Sequence, residues 1–149
     1  MSQTCTSLLY HCVFSTKGRR KTIAPEMQDR LWAHIGSIAR EHGMKALAVG
    51  GDCDHAHLLL SLPSSVPVAN AMRQIKSGSS RWMHEVASQK GFEWQEGYGA
   101  FSIGQAQVEA TLAYIAGQTE HHRQRDYQSE FVAFLEKNHI EYDPTYIWG

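Results

Sequence analysis

The stretch Asp54-His55-Ala56-His57-Leu58-Leu59-Leu60-Ser61-Leu62 decides how the rest of this chain is read. An apolar run of that length, stopped by Pro63, is the pattern of a buried β-strand, and strand side chains alternate between the two faces of a sheet. His55 and His57 therefore point to one side, separated by ~7 Å of backbone. Two imidazoles so placed can converge on a single cation if another element delivers a third ligand. In a chain with nine histidines such a pair taken alone is more often a packing feature than a metal site, so the weight falls on what surrounds it.

Immediately upstream, residues 45–49 favour a second strand and Gly50-Gly51-Asp52 a turn, so that the histidine strand (55–62) closes a hairpin. Further back, Leu9-Tyr10-His11-Cys12-Val13-Phe14 reads as a first strand and Lys17-Gly18-Arg19-Arg20 as a basic turn. Between them Pro25 opens a helix whose Met27, Leu31, Ile35, Ile38 and His42 recur at helical spacing until Gly43. Downstream, Pro67 opens a second long helix carrying Val68, Met72, Ile75, Trp82, Met83 and Val86, and a short Gly-bounded strand follows near 100–103. The order β-α-β-β-α-β predicts an α+β, ferredoxin-like (RRM-like) fold: an antiparallel four-stranded sheet with two helices on one face, the other face left free for chemistry. Beyond it, residues 105–122 form a helix with Val108, Leu112, Ile115 and Ala116 on one stripe and Gln107, Thr111, Tyr114, Gln118 and His121 on another. Residues 129–138 read as a short packing helix through Phe131, Phe134 and Leu135, and 142–148 as an extended aromatic tail that docks on the domain.

A chain of 149 residues, 42% hydrophobic, suits one domain over 1–149. Its three cysteines are odd in number and lack C-x-x-C spacing, so neither a disulfide framework nor a thiolate zinc site is indicated, and a reducing, cytoplasmic compartment is expected. Residues 8–14 are too short to span a membrane, and no Gly-rich loop for a nucleotide triphosphate is present. The net charge of −1 argues mildly against a general nucleic-acid binder. Locally, Lys17, Arg19, Arg20 and Lys21 form a basic run, and Arg73 and Lys76 lie off the apolar stripe of the second helix. Both groups are candidate DNA contacts, or simply solvated faces.

A cation held by two neutral imidazoles and no thiolate draws the rest of its coordination from oxygen, which suits Mg²⁺ or Mn²⁺. Gln118 is a candidate third ligand, and Tyr114 lies one helical turn before it on the same face. A phenol with an ordinary pKa near ~10 attacks only when its proton is accepted or its target is strongly polarised, and a metal-bound phosphodiester meets the second condition.

Together, Asp54-His55-Ala56-His57-Leu58-Leu59, Gly97-Tyr98-Gly99-Ala100-Phe101-Ser102, Tyr114-Ile115-Ala116-Gly117-Gln118 and Glu120-His121-His122-Arg123 resemble the single-tyrosine HUH transposases of small bacterial insertion sequences, including their REP-associated relatives. The likeness runs from about Leu9 to Trp148. It implies that His55 and His57 are the metal pair, Gln118 the third ligand and Tyr114 the nucleophile. It also implies single-stranded, hairpin-containing DNA as substrate, a 5′-phosphotyrosine intermediate, and a homodimer whose tyrosine helix can complete the partner's site. Conjugative relaxases, which place the tyrosine before the histidines, and replication initiators, which carry Lys in place of the Gln, fit less well. The turn Gly51-Asp52-Cys53-Asp54 departs from the apolar-Pro pattern often found before the histidines. Asp54 either orients an imidazole or serves the turn. Two other functions remain compatible with the residues: a domesticated or REP-associated hairpin-binding protein, and a metal-dependent phosphodiester hydrolase that uses water in place of Tyr114.

Overall fold

A computed structural model describes residues 2–121 and 125–148; His122 and Arg123 of the last motif lie outside them. Four strands, β1 (Leu9–Ser15), β2 (Lys45–Asp52), β3 (His55–Ser61) and β4 (Gly99–Ile103), form an antiparallel sheet in the order β2-β3-β1-β4. Helices α1 (Pro25–Glu41) and α2 (Val68–Glu85) cover one face. This is the ferredoxin-like arrangement that the order of elements predicts.

The face beneath those two helices is the main core. Cys12 and Phe14 of β1 and Ala56, Leu58 and Leu60 of β3 point into it and meet Leu31, Ile35, Met72 and Ile75, all without solvent contact or nearly so. Each buried leucine, isoleucine or methionine side chain there contributes roughly 1.5–3 kcal/mol by leaving water.

The opposite face is not free, as the sequence suggests, but half covered. Val13 and Phe101 join Tyr127, Phe131 and Leu135 of α5 (Tyr127–Lys137) in a second cluster, against which Tyr142, Ile147 and Trp148 pack. Helix α5 begins two residues earlier than its apolar stripe suggests because Asp126 caps it, its carboxylate accepting from the Ser129 N–H at 2.8 Å. The tail docks as expected, though 144–148 fold as turns and not as an extended segment.

Register brings one residue from each strand into a single row on this second face: Gly50, His57, Val13 and Gly99. The two edge positions lack side chains for a reason. A Cβ on Gly50 would lie 2.8 Å from the Ile115 carbonyl oxygen, and one on Gly99 would lie 2.8 Å from the Phe131 ring. The glycines let α3 (Val108–Ala116) and α5 settle onto the sheet on either side of His57. Gly50-Gly51-Asp52 is therefore strand and not turn: β2 runs to Asp52 opposite His55, and the reversal falls at Cys53-Asp54. The single helix expected over 105–122 is also divided, into a 3-10 turn (Gln105–Gln107), α3 and a short α4 (Gln118–His121), with the break at Gly117. Glycine has little propensity to continue a helix, and the break costs the tyrosine and glutamine none of their proximity.

Candidate metal and nucleophile site

His55 and His57 are completely buried on the second face, their rings 5.1 Å apart between centroids. Each has one nitrogen occupied by a protein partner and the other turned inward. The Asp54 carboxylate lies 2.7 Å from His55 Nδ1, so the turn residue is also an imidazole partner. With that N–H donated to Asp54, His55 Nε2 presents a lone pair. It faces Gln118 Oε1 at 2.9 Å and Glu130 Oε1 at 3.7 Å, and the Gln118 amide nitrogen is turned away toward the Tyr114 carbonyl and Glu130 Oε2. Three electron-pair donors meeting in this way require a proton or a cation among them.

His57 Nε2 lies 2.8 Å from Glu130 Oε1, and its Nδ1 lies 2.8 Å from Nε2 of His11. Ligand atoms of His55, His57 and Glu130 all fall within 4.8 Å of one another, all three residues buried. Two imidazoles and a carboxylate, with an amide oxygen beside them, are a donor set that fits a divalent metal ion. Burial, and then the neighbouring His57, push the pKa of His11 down to about 3. It is therefore a neutral imidazole that can either donate to or accept from His57.

Tyr114 reaches the same place from α3. Its hydroxyl donates to Glu130 Oε2 and lies 3.3 Å from His121 Nε2, which is itself 3.2 Å from Glu130 Oε2. One carboxylate thus spans the site, with Oε1 toward the histidines and Oε2 toward the tyrosine. Burial, followed by this bond to Glu130, raises the Tyr114 pKa above the ordinary phenol value. The hydroxyl rests protonated.

Of the residues singled out in the sequence, His55, His57, Asp54, Tyr114 and Gln118 come together. The basic residues do not join them. Lys76 is committed within the fold, its ammonium donating to the carbonyls of Gln95, Glu96 and Gly97 at 2.5, 3.1 and 2.8 Å. It and Arg73 stand on α2, behind the sheet as seen from the site. Lys17 pairs with Glu93 at 3.4 Å, and the Arg19 guanidinium lies over the Trp148 ring, whereas Arg20, Lys21 and Arg73 are exposed.

The sequence patterns do not single out Glu130 or His11. The signal for Glu130 is a carboxylate one helical turn before Phe134, on the flank of an apolar stripe where only a paired acid belongs. For His11 it is a polar residue inside a buried strand, in line with Val13 on one face.

The family profile described as "Transposase IS200 like" matches residues 4–118, more than three-quarters of the chain. The chain belongs to the IS200-like transposase family. Residues His55, His57, Tyr114 and Gln118 fall inside that match and Glu130 outside it. The ISDra2 transposase TnpA of Deinococcus radiodurans is 29% identical over 76 residues, covering 51% of this chain and 54% of that protein. The chain thus spans about half the length of the curated relative it matches. Two solved structures share the fold. A 1.90 Å crystal structure from Deinococcus radiodurans R1, assigned as a transposase, aligns with a TM-score of 0.62 and 22% identity over 79% of this chain and 95% of its own. A REP-associated tyrosine transposase bound to a REP hairpin aligns with a TM-score of 0.59 and 18% identity over 82% of this chain and 74% of its own.

Proposed function

We propose that this chain cuts and rejoins single-stranded, hairpin-containing DNA by transferring a strand onto Tyr114. The observation that carries the reading is the single carboxylate, Glu130, that touches both the histidine pair and the Tyr114 hydroxyl. His55, His57 and Glu130, with Gln118 beside them, would hold Mg²⁺ or Mn²⁺, which when bound would polarise the scissile phosphate.

The remaining chemistry belongs to the side chains. Asp54 holds His55 through Nδ1 and His11 holds His57, so neither ring can turn its inner nitrogen away. Tyr114 attacks phosphorus through its hydroxyl oxygen, forming a P–O bond as the 3′-oxygen of the neighbouring nucleotide leaves. A 5′-phosphotyrosine and a free 3′-hydroxyl result. Because the phenol rests protonated, its proton must pass to an acceptor during attack, and Glu130 Oε2 and His121 Nε2 are the atoms within reach. One phosphodiester replaces another, so the step is nearly neutral in energy and needs no triphosphate. A second 3′-hydroxyl reverses it on a new end.

Hairpin DNA as the substrate is supported by the REP-associated relative, which is bound to such a hairpin. Exposed Arg20 and Lys21 remain candidate phosphate contacts, and we retain a homodimer as the assembly. No described helix is long and apolar enough to cross a membrane. The test uses end-labelled single strands carrying imperfect palindromes that flank the gene, incubated with protein and Mg²⁺ or Mn²⁺ and run on denaturing gels. A covalent protein–DNA band with wild type, absent with Tyr114→Phe, is expected. Cleavage without any adduct would replace this reading with hydrolysis, and an undiminished adduct from Tyr114→Phe would remove Tyr114 from the role.

A further inference from the structure

Beside the site, a cleft of about 270 Å³ opens between β4, α3 and α5. Its inner wall is Tyr114 and His11, and its floor is Phe134, whose ring stacks on Phe101 at 5.4 Å between centroids and 15° between planes. That volume lies below the roughly 300–1,000 Å³ typical of pockets for drug-sized ligands, so the occupant is small. The half-buried ring of Phe134 offers apolar and aromatic surface, and the side chains of Gln107 and Asn138 also line the cleft. Gln107 uses its oxygen to accept from the Gly104 N–H, and Asn138 uses its nitrogen to donate to the Phe134 carbonyl. Among the described residues the Gln107 amide nitrogen and the Asn138 amide oxygen make no further hydrogen bond, which leaves one donor and one acceptor available on residues that line the cleft. Lys137, at the rim, has no ion pair among the described residues.

An aromatic floor with a donor and an acceptor at its edge is what a flat heterocycle with a hydrogen-bonding rim requires, and an ammonium at the mouth suits the phosphate attached to it. The Tyr114 ring forms a wall of both the cleft and the catalytic site, so a base seated here belongs to a nucleotide next to the phosphate that Tyr114 attacks. We propose that the cleft is a nucleobase subsite, which takes one unpaired base adjoining the scissile phosphodiester and contributes a sequence preference there. This rests on the strand-transfer reading, and it assigns part of the specificity to α5, beyond the stretch matched by the family profile.

The test measures binding of four fluorescein-labelled tetradeoxynucleotides, all-dA, all-dC, all-dG and all-dT, to the full chain by anisotropy at low salt. Wild type should bind and should prefer one base. Phe134→Leu keeps apolar bulk on α5 but removes the ring, and should weaken the preferred oligonucleotide about tenfold, within the range lost with one stacked base. Gln107→Ala and Asn138→Ala, both at exposed positions, should flatten the preference among the four. Irradiation of a 4-thiothymidine tetranucleotide should attach it to the peptide containing residues 134–138. Wild type that binds none of the four, variants that bind them as wild type does, or a crosslink mapping only elsewhere would each overturn the subsite. Failure of the strand-transfer reading has a different signature: no covalent adduct with any hairpin DNA, whatever the tetranucleotides do.

Discussion

Gly50→Ala tests whether the sheet sets the position of Tyr114. Gly50 lies opposite His57 on β2, and its missing side chain is the space in which α3 rests. A methyl group there would come within 2.8 Å of the Ile115 carbonyl oxygen and 3.0 Å of its Cγ2. Ordinary contact begins near ~3.5 Å, so α3 must retreat by roughly half an ångström or more. The clash is with backbone, which cannot swing aside as a side-chain tip would. Overpacking of this kind costs about 1–3 kcal/mol, which for a chain of this length lowers the melting temperature by about 3–10 °C. Ile115 follows Tyr114 directly, so the hydroxyl retreats with the helix. A displacement of about 1 Å can cost ~100-fold in rate, so half of that predicts about a tenfold slower formation of the DNA adduct. The assay is single-turnover adduct formation at saturating metal and DNA, well below the variant's melting temperature, with thermal denaturation measured alongside. Wild-type rate and wild-type melting temperature together would refute the packing argument. A lowered melting temperature with an unchanged rate would show that Tyr114 is not placed by α3 resting on Gly50.

Glu130→Gln keeps the shape of the side chain but loses the charge that faces both the histidines and the tyrosine, and should weaken Mn²⁺ binding by calorimetry at least tenfold and nearly abolish the adduct; unchanged Mn²⁺ affinity would remove Glu130 from the metal site. His11→Leu deprives His57 of its partner, which for such supporting groups typically means a 10–100-fold loss of metal affinity, whereas His11→Gln should recover part of it; equal affinities in both variants would deny His11 a positioning role. Mixing inactive His57→Ala with inactive Tyr114→Phe should restore nothing, because Tyr114 and His57 of one chain already meet at Glu130; recovery to about a quarter of wild type, the share expected for randomly mixed two-fold dimers with exchanged helices, would show that the sites are shared.

The sheet and its two covering helices are legible in the sequence because each element carries a strong periodic signal and a Pro or Gly at its end. Leu58, Leu60 and Leu62 and the stripes on α1 and α2 belong to the same core and agree with one another. The second face is harder to read. Its apolar set is divided among Val13, Phe101 and α5, which lie far apart in the chain, and no local period joins them. Gly50 and Gly99 are ambiguous for a related reason. Glycine marks turns, but it also marks places where another backbone must come close, and only the fold tells the two apart. His55, His57, Tyr114 and Gln118 are legible because each pair has a regular spacing, whereas Glu130 enters from a separate helix with no spacing relation to any of them.

That position gives Glu130 a further consequence. Its helix is held to the sheet by Phe131 and Leu135, and the ring of Tyr127, one turn before Glu130, lies 4.9 Å from that of His55. The carboxylate therefore does not hang from a mobile segment; it is as firmly anchored as the histidines. A base or ligand supplied from a loop would lose part of its advantage to the entropy of ordering it for each reaction, and one on a packed helix has already been ordered by folding. A bare sheet face would leave the Tyr114 ring 5.6 Å from that of His57 with no carboxylate reaching both. By covering that face, α5 brings one carboxylate into contact with both the Tyr114 hydroxyl and the histidine pair, and the same closure creates the aromatic cleft beside it. The two features stand or fall together: whatever shifts α5 along the sheet must move both the Glu130 oxygens and the Phe134 ring.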